Sequence, residues 1–331
     1  MLDERKTAIL GAVVQEYIAT AQPVGSTHIA SAPDINVSSA TVRNEMSQLE
    51  SEGYLVQPHT SAGRIPTDKG YRYFVDNLSS PRRLDMATAK QVGEFFSAAH
   101  GRLEELLHQT SNLLADLTNN AAVVVGPKAE AIPIRSVQIV SLSPTTATVV
   151  VVFANGSVEN VGIDLVDDDD DVKLAAASAH LSAAIGGTVL GAVGTASPTG
   201  DAAVDRLCDV SLDALRNMGS VDHVYTGGVS AVADAFDAVD VVRSVLHTLE
   251  QQFVVVTLVT DIVGRGMSVA IGLEHGVEQL SACSVVVAPV VVEGEHLGSV
   301  GVLGPTRMNY PQALATVDVV SEQLGHRIEE G

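Results

Sequence analysis

At 331 residues, with 46% apolar and 18% charged side chains, the chain is long enough to bury two or three cores, and no apolar run approaches the ~18 residues a membrane-spanning helix needs. Met1-Leu2-Asp3-Glu4-Arg5-Lys6 mixes both charge signs where a secretory signal would place a cationic stretch before an apolar core, so a soluble, cytoplasmic protein is expected. The net charge of −21 opposes phosphate binding, but it is unevenly spread: residues 1 to 83 carry 8 Lys/Arg against 9 Asp/Glu and residues 84 to 331 carry 11 against 31, which leaves only the first segment able to approach nucleic acid.

In that segment Ile9, Leu10, Val13, Val14, Tyr17 and Ile18 recur at helical spacing and predict a first helix from about residue 4 to Ala19, ending before Gln22-Pro23. Gly25-Ser26-Thr27 can cap a short second helix over His28 to Ser31, which Pro33-Asp34 breaks. Ser38 is the expected N-cap of a third, whose stripe of Val42, Met46 and Leu49 faces inward until Gly53 stops it. With that stripe buried, Ala40, Asn44 and Ser47 point outward, flanked by Ser39, Thr41, Arg43 and Gln48, because each residue advances about 100° around the axis. Such a face suits a major groove: Arg bonds guanine bidentately, Asn or Gln bonds adenine, and Ala or Thr meets the thymine methyl. The absence of carboxylates near its start, and the helix N-terminus itself, favour phosphate.

Tyr54-Leu55-Val56-Gln57 alternates as a strand, and Pro58 to Pro66 continues around a Ser61-Ala62-Gly63 turn, so a β-hairpin follows the third helix. This is the order of a winged helix-turn-helix. Arg64 lies just past the hairpin tip, where a cation contacts backbone phosphate or the minor groove, and His59 joins the residues expected to face DNA. Thr67 should cap a fourth helix with Lys69 and Arg72 exposed and Tyr71, Phe74, Val75 and Leu78 seeking burial.

Beyond it, apolar residues from Val92 to Leu117 at spacings of three, four and seven predict a long helix or a helix pair. The period then changes. Val123 to Val125, Val137 to Leu142, Val149 to Phe153, Phe253 to Val259, Met267 to Ile271, Ser284 to Val292 and Leu297 to Leu303 read as strands, with Asn155-Gly156 and Gly294 in tight turns. Hairpins without intervening helices argue for an antiparallel sheet, so the class is α+β. Helical stretches are expected at about 172 to 186, 201 to 218 and 235 to 251, and after Pro311.

Chemistry-bearing motifs are lacking. Cys208 and Cys283 stand far apart and read as buried free thiols, and the ten histidines show no metal-ligand spacing, so no metal or cofactor is expected. Asp167 to Asp171 reads as a solvated loop, and Gly298, Gly301 and Gly304 beside Arg307 as tight strand turns in preference to an anion pocket. Nor is there a phosphate-binding glycine loop or a serine nucleophile elbow. An enzyme is not expected.

Val37 to Met46, then Leu49-Glu50 and Gly53-Tyr54-Leu55, resembles the recognition helix of the heat-inducible transcription repressor family HrcA. QPHTSAGRIPTDKGYRYFVDNL, residues 57 to 78, resembles that family's wing and linker almost throughout, and Ile271-Gly272-Leu273-Glu274 and Gly301 to Tyr310 extend the likeness towards the C-terminus. The resemblance implies a winged helix-turn-helix over 1–80, a helical linker over 81–120, a discontinuous GAF-like domain over 121–170 and 225–331, and an inserted helical dimerisation domain over 171–224. It also implies repression from an inverted repeat upstream of chaperonin and related heat-shock genes, modulated by the chaperonin GroEL. A homodimer fits this, since one recognition helix reads too few base pairs to find one site in a genome. The alternative is a metabolite-sensing winged-helix regulator whose GAF-like domain binds a small ligand.

Overall fold

The computed structural model describes residues 2–59, 62–78, 84–99, 103–126, 132–154, 156–166, 169–217, 224–228, 236, 239–266 and 268–330. Helix α1 (Glu4–Thr20) opens at Asp3, whose carboxylate accepts the Lys6 amide. After it come α2 (Ser26–Ile29), two residues ahead of its expected position, and α3 (Ser39–Ser51), capped by Ser38 Oγ accepting the Thr41 amide at 3.2 Å. Strand β1 (Leu55–Val56) pairs antiparallel with β2 (Ile65–Pro66), and Thr67 caps α4 (Asp68–Asp76) as expected. Ser61, assigned to the hairpin turn, lies outside the described residues. Ile9, Leu10, Val13 and Val14 of α1 meet Val42, Met46 and Leu49 of α3 in one core, with Leu55, Tyr71 and Phe74. Each fully buried aliphatic side chain there contributes about 1.5–3 kcal/mol, which is what holds three short helices to one hairpin.

Helices α5 (Met86–Ala98) and α6 (Leu103–Thr118) realise the helix pair. They lead into a five-stranded antiparallel sheet in the order β7-β3-β10-β9-β8, formed by β3 (Ala121–Val125), β7 (Val224–Gly227), β8 (Val269–Ile271), β9 (Cys283–Val292) and β10 (Glu295–Pro305). Period-two alternation gives this sheet two buried faces. Ala122, Val124, Val286, Val300 and Val302 join the core shared with α6 and the C-terminal helix α11 (Tyr310–Glu330), whereas Ala121, Val123, Val285, Val287 and Leu303 face the opposite layer. That layer consists of α9 (Val239–Glu250) and α10 (Gln252–Gly264). Double coverage is why the strands read as continuous apolar runs. Among the described residues, no helix is long and apolar enough to cross a membrane.

Several expectations are corrected. Phe253 to Val259, read as a strand, is helical: Val255, Leu258, Val259 and Ile262 fall at helical spacing and are buried against the sheet, so packing overrides the β-preference of the Val run. The strands between 134 and 164 do not join the five-stranded sheet. Strands β4 (Ile134–Ser143), β5 (Thr146–Phe153) and β6 (Val158–Asp164) form their own antiparallel sheet, with a separate core built by α7 (Asp171–Ile185) and α8 (Ala202–Asn217). The insertion between β3 and β7 is therefore mixed helix and sheet, and it begins well before residue 171. Helix α7 seals the edge strand: Ser182 Oγ accepts the Val137 amide and donates to its carbonyl, and Ser178 Oγ accepts the Ile139 amide.

Of the acidic run, Asp169 pairs with Arg206 and Asp170 caps α7, so these carboxylates are structural; Asp167 and Asp168 lie outside the described residues, as do Asn155 and Met267. Gly298, Gly301 and Gly304 sit within β10, not in turns, and Gly298 lies against the Val125 carbonyl. Cys208 and Cys283 are both buried, which pushes their thiols up to about 11 and about 12.

Candidate nucleic-acid interface

Burial of Val42, Met46 and Leu49 fixes the rotation of α3, and its other side is open: Ser39, Ala40, Arg43, Asn44, Ser47 and Gln48 are exposed, and Thr41 is half-buried. The side chains of Arg43 and Asn44 make no hydrogen bond or ion pair to another described residue. Ser38 and Thr41 are occupied in the cap, their hydroxyls 3.0 Å apart.

The carboxylates around this helix are managed in a way the sequence did not reveal. Glu45 is 3.3 Å from Arg5 Nε, Glu52 is 2.6 Å from Lys6 Nζ, and Glu50 is 2.9 Å from Arg64 Nε. All three are matched by a cation from α1 or the wing, so among the described residues Arg43 is the unmatched charge on the exposed face. A surface of this kind can approach phosphate although the chain as a whole is strongly acidic. The Lys6 ammonium is held above its ordinary value, chiefly by its hydrogen bond to Glu52.

The wing is braced on the helix. Val24 and Arg64 exchange both backbone hydrogen bonds at 2.9 Å, adding a third extended segment to the hairpin. This approach requires Gly63, where a Cβ would come within 2.4 Å of the Val24 backbone. Arg64 then reaches back, donating Nη2 to Ser47 Oγ at 2.8 Å besides its bond to Glu50. Its side chain is only 14% exposed, held by Glu50 and Ser47. Arg64 joins wing to recognition helix and neutralises Glu50. Arg64→Ala is accordingly expected to weaken operator binding by baring Glu50, and adding Glu50→Gln should restore part of the loss in a fluorescence-anisotropy titration. A direct phosphate contact by Arg64 would give no such restoration.

His59 is exposed ahead of the turn. Lys69, also exposed, donates to the Glu52 carbonyl at 2.7 Å and lies 4.3 Å from the centre of the Tyr54 ring. Arg72 departs from expectation: it is half-buried, and its guanidinium is bound by Glu274 of the 3₁₀ turn after β8. No signal within α4 could have disclosed that partner, which lies 202 residues away.

A small helical unit with an open, carboxylate-free recognition face and a braced wing, carried on a separate sheet body, defines a DNA-binding transcription regulator. The model of the HrcA protein C-terminal domain matches residues 104–314. The heat-inducible transcription repressor HrcA of Nocardia farcinica is 38% identical over 99% of this chain and 97% of its own length, and that of Pelotomaculum thermopropionicum is 36% identical over the same shares. The chain belongs to the HrcA family of heat-inducible transcription repressors. A crystal structure of a hypothetical protein at 2.2 Å resolution shares the fold, with a TM-score of 0.70 at 23% identity over 100% of this chain and 99% of that one.

Proposed function

We propose that the chain binds as a homodimer to an inverted-repeat operator upstream of chaperonin and related heat-shock genes, blocks their transcription, and is modulated by the chaperonin GroEL. The observation that carries DNA recognition is the exposed, unengaged pair Arg43 and Asn44 on a helix whose carboxylates are matched elsewhere. Ser39, Ala40, Thr41, Ser47 and Gln48 complete the groove-facing surface, Ser38 presents the helix N-terminus, and His59 and Lys69 flank it. Arg64 acts as a brace.

The dimer reading is supported by the inserted sheet. One face of β4-β5-β6 is covered by α7 and α8. On the other, Val140 and Val158 are 43% and 49% exposed with Val150 and Val152 half-buried between them, and Leu142, 68% exposed, stands at the irregularity between Ser141 and Ser143 near the end of β4. Register puts Gln138, Thr148, Asn160 and Gly162 on the same face, so an apolar patch with few charges sits on a strongly acidic protein. Such a patch supports self-association through this face.

Chaperonin dependence draws on topology. Strand β3 pairs with β10 across the entire insertion, as in Val124 with Val300, so the central sheet cannot close until late in folding and its apolar strands stay open meanwhile. Family membership favours the repressor over the metabolite sensor. Footprinting of the full chain on its own chaperonin promoter, with and without added GroEL, tests the whole reading: protection of an inverted repeat, strengthened by GroEL, is expected. Absence of protection at low salt would overturn operator recognition, and indifference to GroEL would overturn the modulation.

A further inference from the structure

The segment Ile271-Gly272-Leu273-Glu274 lies far from the recognition helix in sequence, yet it meets the DNA-reading unit through the side chains of Arg72 and Asp68. Arg72 on α4 donates Nε to one Glu274 carboxylate oxygen at 2.9 Å and Nη2 to the other; Nη2 also donates to the Val269 carbonyl at 2.9 Å, and Nη1 to Asp76 at 3.3 Å. Glu274 is fixed in turn, because its Oε2 accepts the Ile271 amide at 2.9 Å. Two parallel N–H···O bonds define a plane, so this contact constrains orientation as well as distance.

The fit around the pair is close. Gly272 has φ +56°, and a Cβ built there would fall 2.2 Å from Asp68 Oδ2 in the first turn of α4. The positive φ favours glycine there, and the Asp68 carboxylate occupies the space a side chain would fill. Beside them the buried rings of Tyr71 and Tyr310 lie 5.8 Å apart, and Tyr310 donates to the Thr306 carbonyl at 2.6 Å. The contact involves α4 and the sheet edge at β8, while the recognition face of α3 remains exposed. It orients the reader without covering it.

We infer that Arg72 and Glu274 form a latch that fixes the reading unit on the edge of the sheet domain, making Arg72 a positioning residue and not a phosphate contact. The inference rests on the reading of a dimer on an inverted repeat, where the separation of two readers selects the half-site spacing. A latched reader gives one preferred spacing; an unlatched one tolerates several and binds each less tightly.

The two roles for Arg72 make opposite forecasts for Glu274. If Arg72 served phosphate, Glu274→Gln would release it and strengthen binding to all DNA, while Arg72→Gln would weaken binding everywhere and flatten the salt dependence. If the pair is a latch, Glu274→Gln and Arg72→Gln should each weaken the full-length dimer on the operator by about tenfold, the double variant should be no worse than either, and isolated half-sites should bind as before. Across repeats whose spacers differ by single base pairs, the variants should show a flattened optimum. Amide exchange of the full chain without DNA gives an independent readout, with faster exchange at Ile271 and through residues 68–76 expected in both variants. Unchanged exchange, or additive losses on random DNA, would overturn the latch. Failure of the wild-type chain to bind any repeat would overturn the operator reading alone, since exchange still reports on the latch.

Discussion

Replacing Val140 and Leu142 together by Asp is expected to leave a folded monomer whose affinity for the inverted repeat is lower by about 10²–10⁴-fold, the range by which linking two weak binding events raises avidity. The two residues are 43% and 68% exposed in one protomer and neither belongs to the core beneath the sheet, so their loss removes little from the monomer's own core. Exposed substitutions of this kind usually change stability by about 0.5 kcal/mol or less. Across a two-fold axis each substitution occurs twice against the same patch, so four carboxylates would have to be desolvated together. Sedimentation velocity should report the monomer, thermal melting should stay near wild type, and binding to a single half-site should persist. A dimer that survives this double substitution would place the interface elsewhere on the molecule.

How much of the fold is legible in the sequence depends on how local the determining contacts are. Ser38 and Thr67 cap the helices that follow them through bonds spanning three residues, and Val42, Met46 and Leu49 share one helix face, so residue spacing alone suffices to outline the reading unit. The body is legible as antiparallel and apolar, but its strands cannot be sorted by composition. Val137, Val149 and Val161 resemble Val124, Val286 and Val300, and only the pairing shows that they build two sheets. The run Val254-Val255-Val256 misleads for a related reason, since residue preference is weaker than burial of a whole helix face on a sheet. The arginines are the hardest to place. Arg43, Arg64 and Arg72 look alike in sequence, yet one is open, one is tied to a glutamate 14 residues before it, and one to a glutamate 202 residues after it. Ion pairing is a property of the folded surface, so a basic residue in a DNA-binding motif is not thereby available to DNA.

That distinction sharpens what Arg43 and Asn44 should do. Asn44→Ala is expected to cost about 1–3 kcal/mol at each half-site if its amide bonds an adenine edge, which is roughly 5- to 150-fold per half-site. In a dimer the substitution occurs twice, so the operator should lose the product of the two factors, while binding to random DNA, carried by phosphate, should be nearly unchanged. Arg43→Ala should show a similar operator loss plus a small fall on random DNA, because it removes the unmatched cation of this face. Neither residue supports the core, whose α3 members are Val42, Met46 and Leu49, so melting temperatures should stay close to wild type and separate lost readout from lost fold. Parallel anisotropy titrations on operator and scrambled duplexes at two salt concentrations would measure both quantities. An equal loss on the two duplexes would mean that these side chains lie on the phosphate backbone and that sequence is read elsewhere on α3 or by the wing.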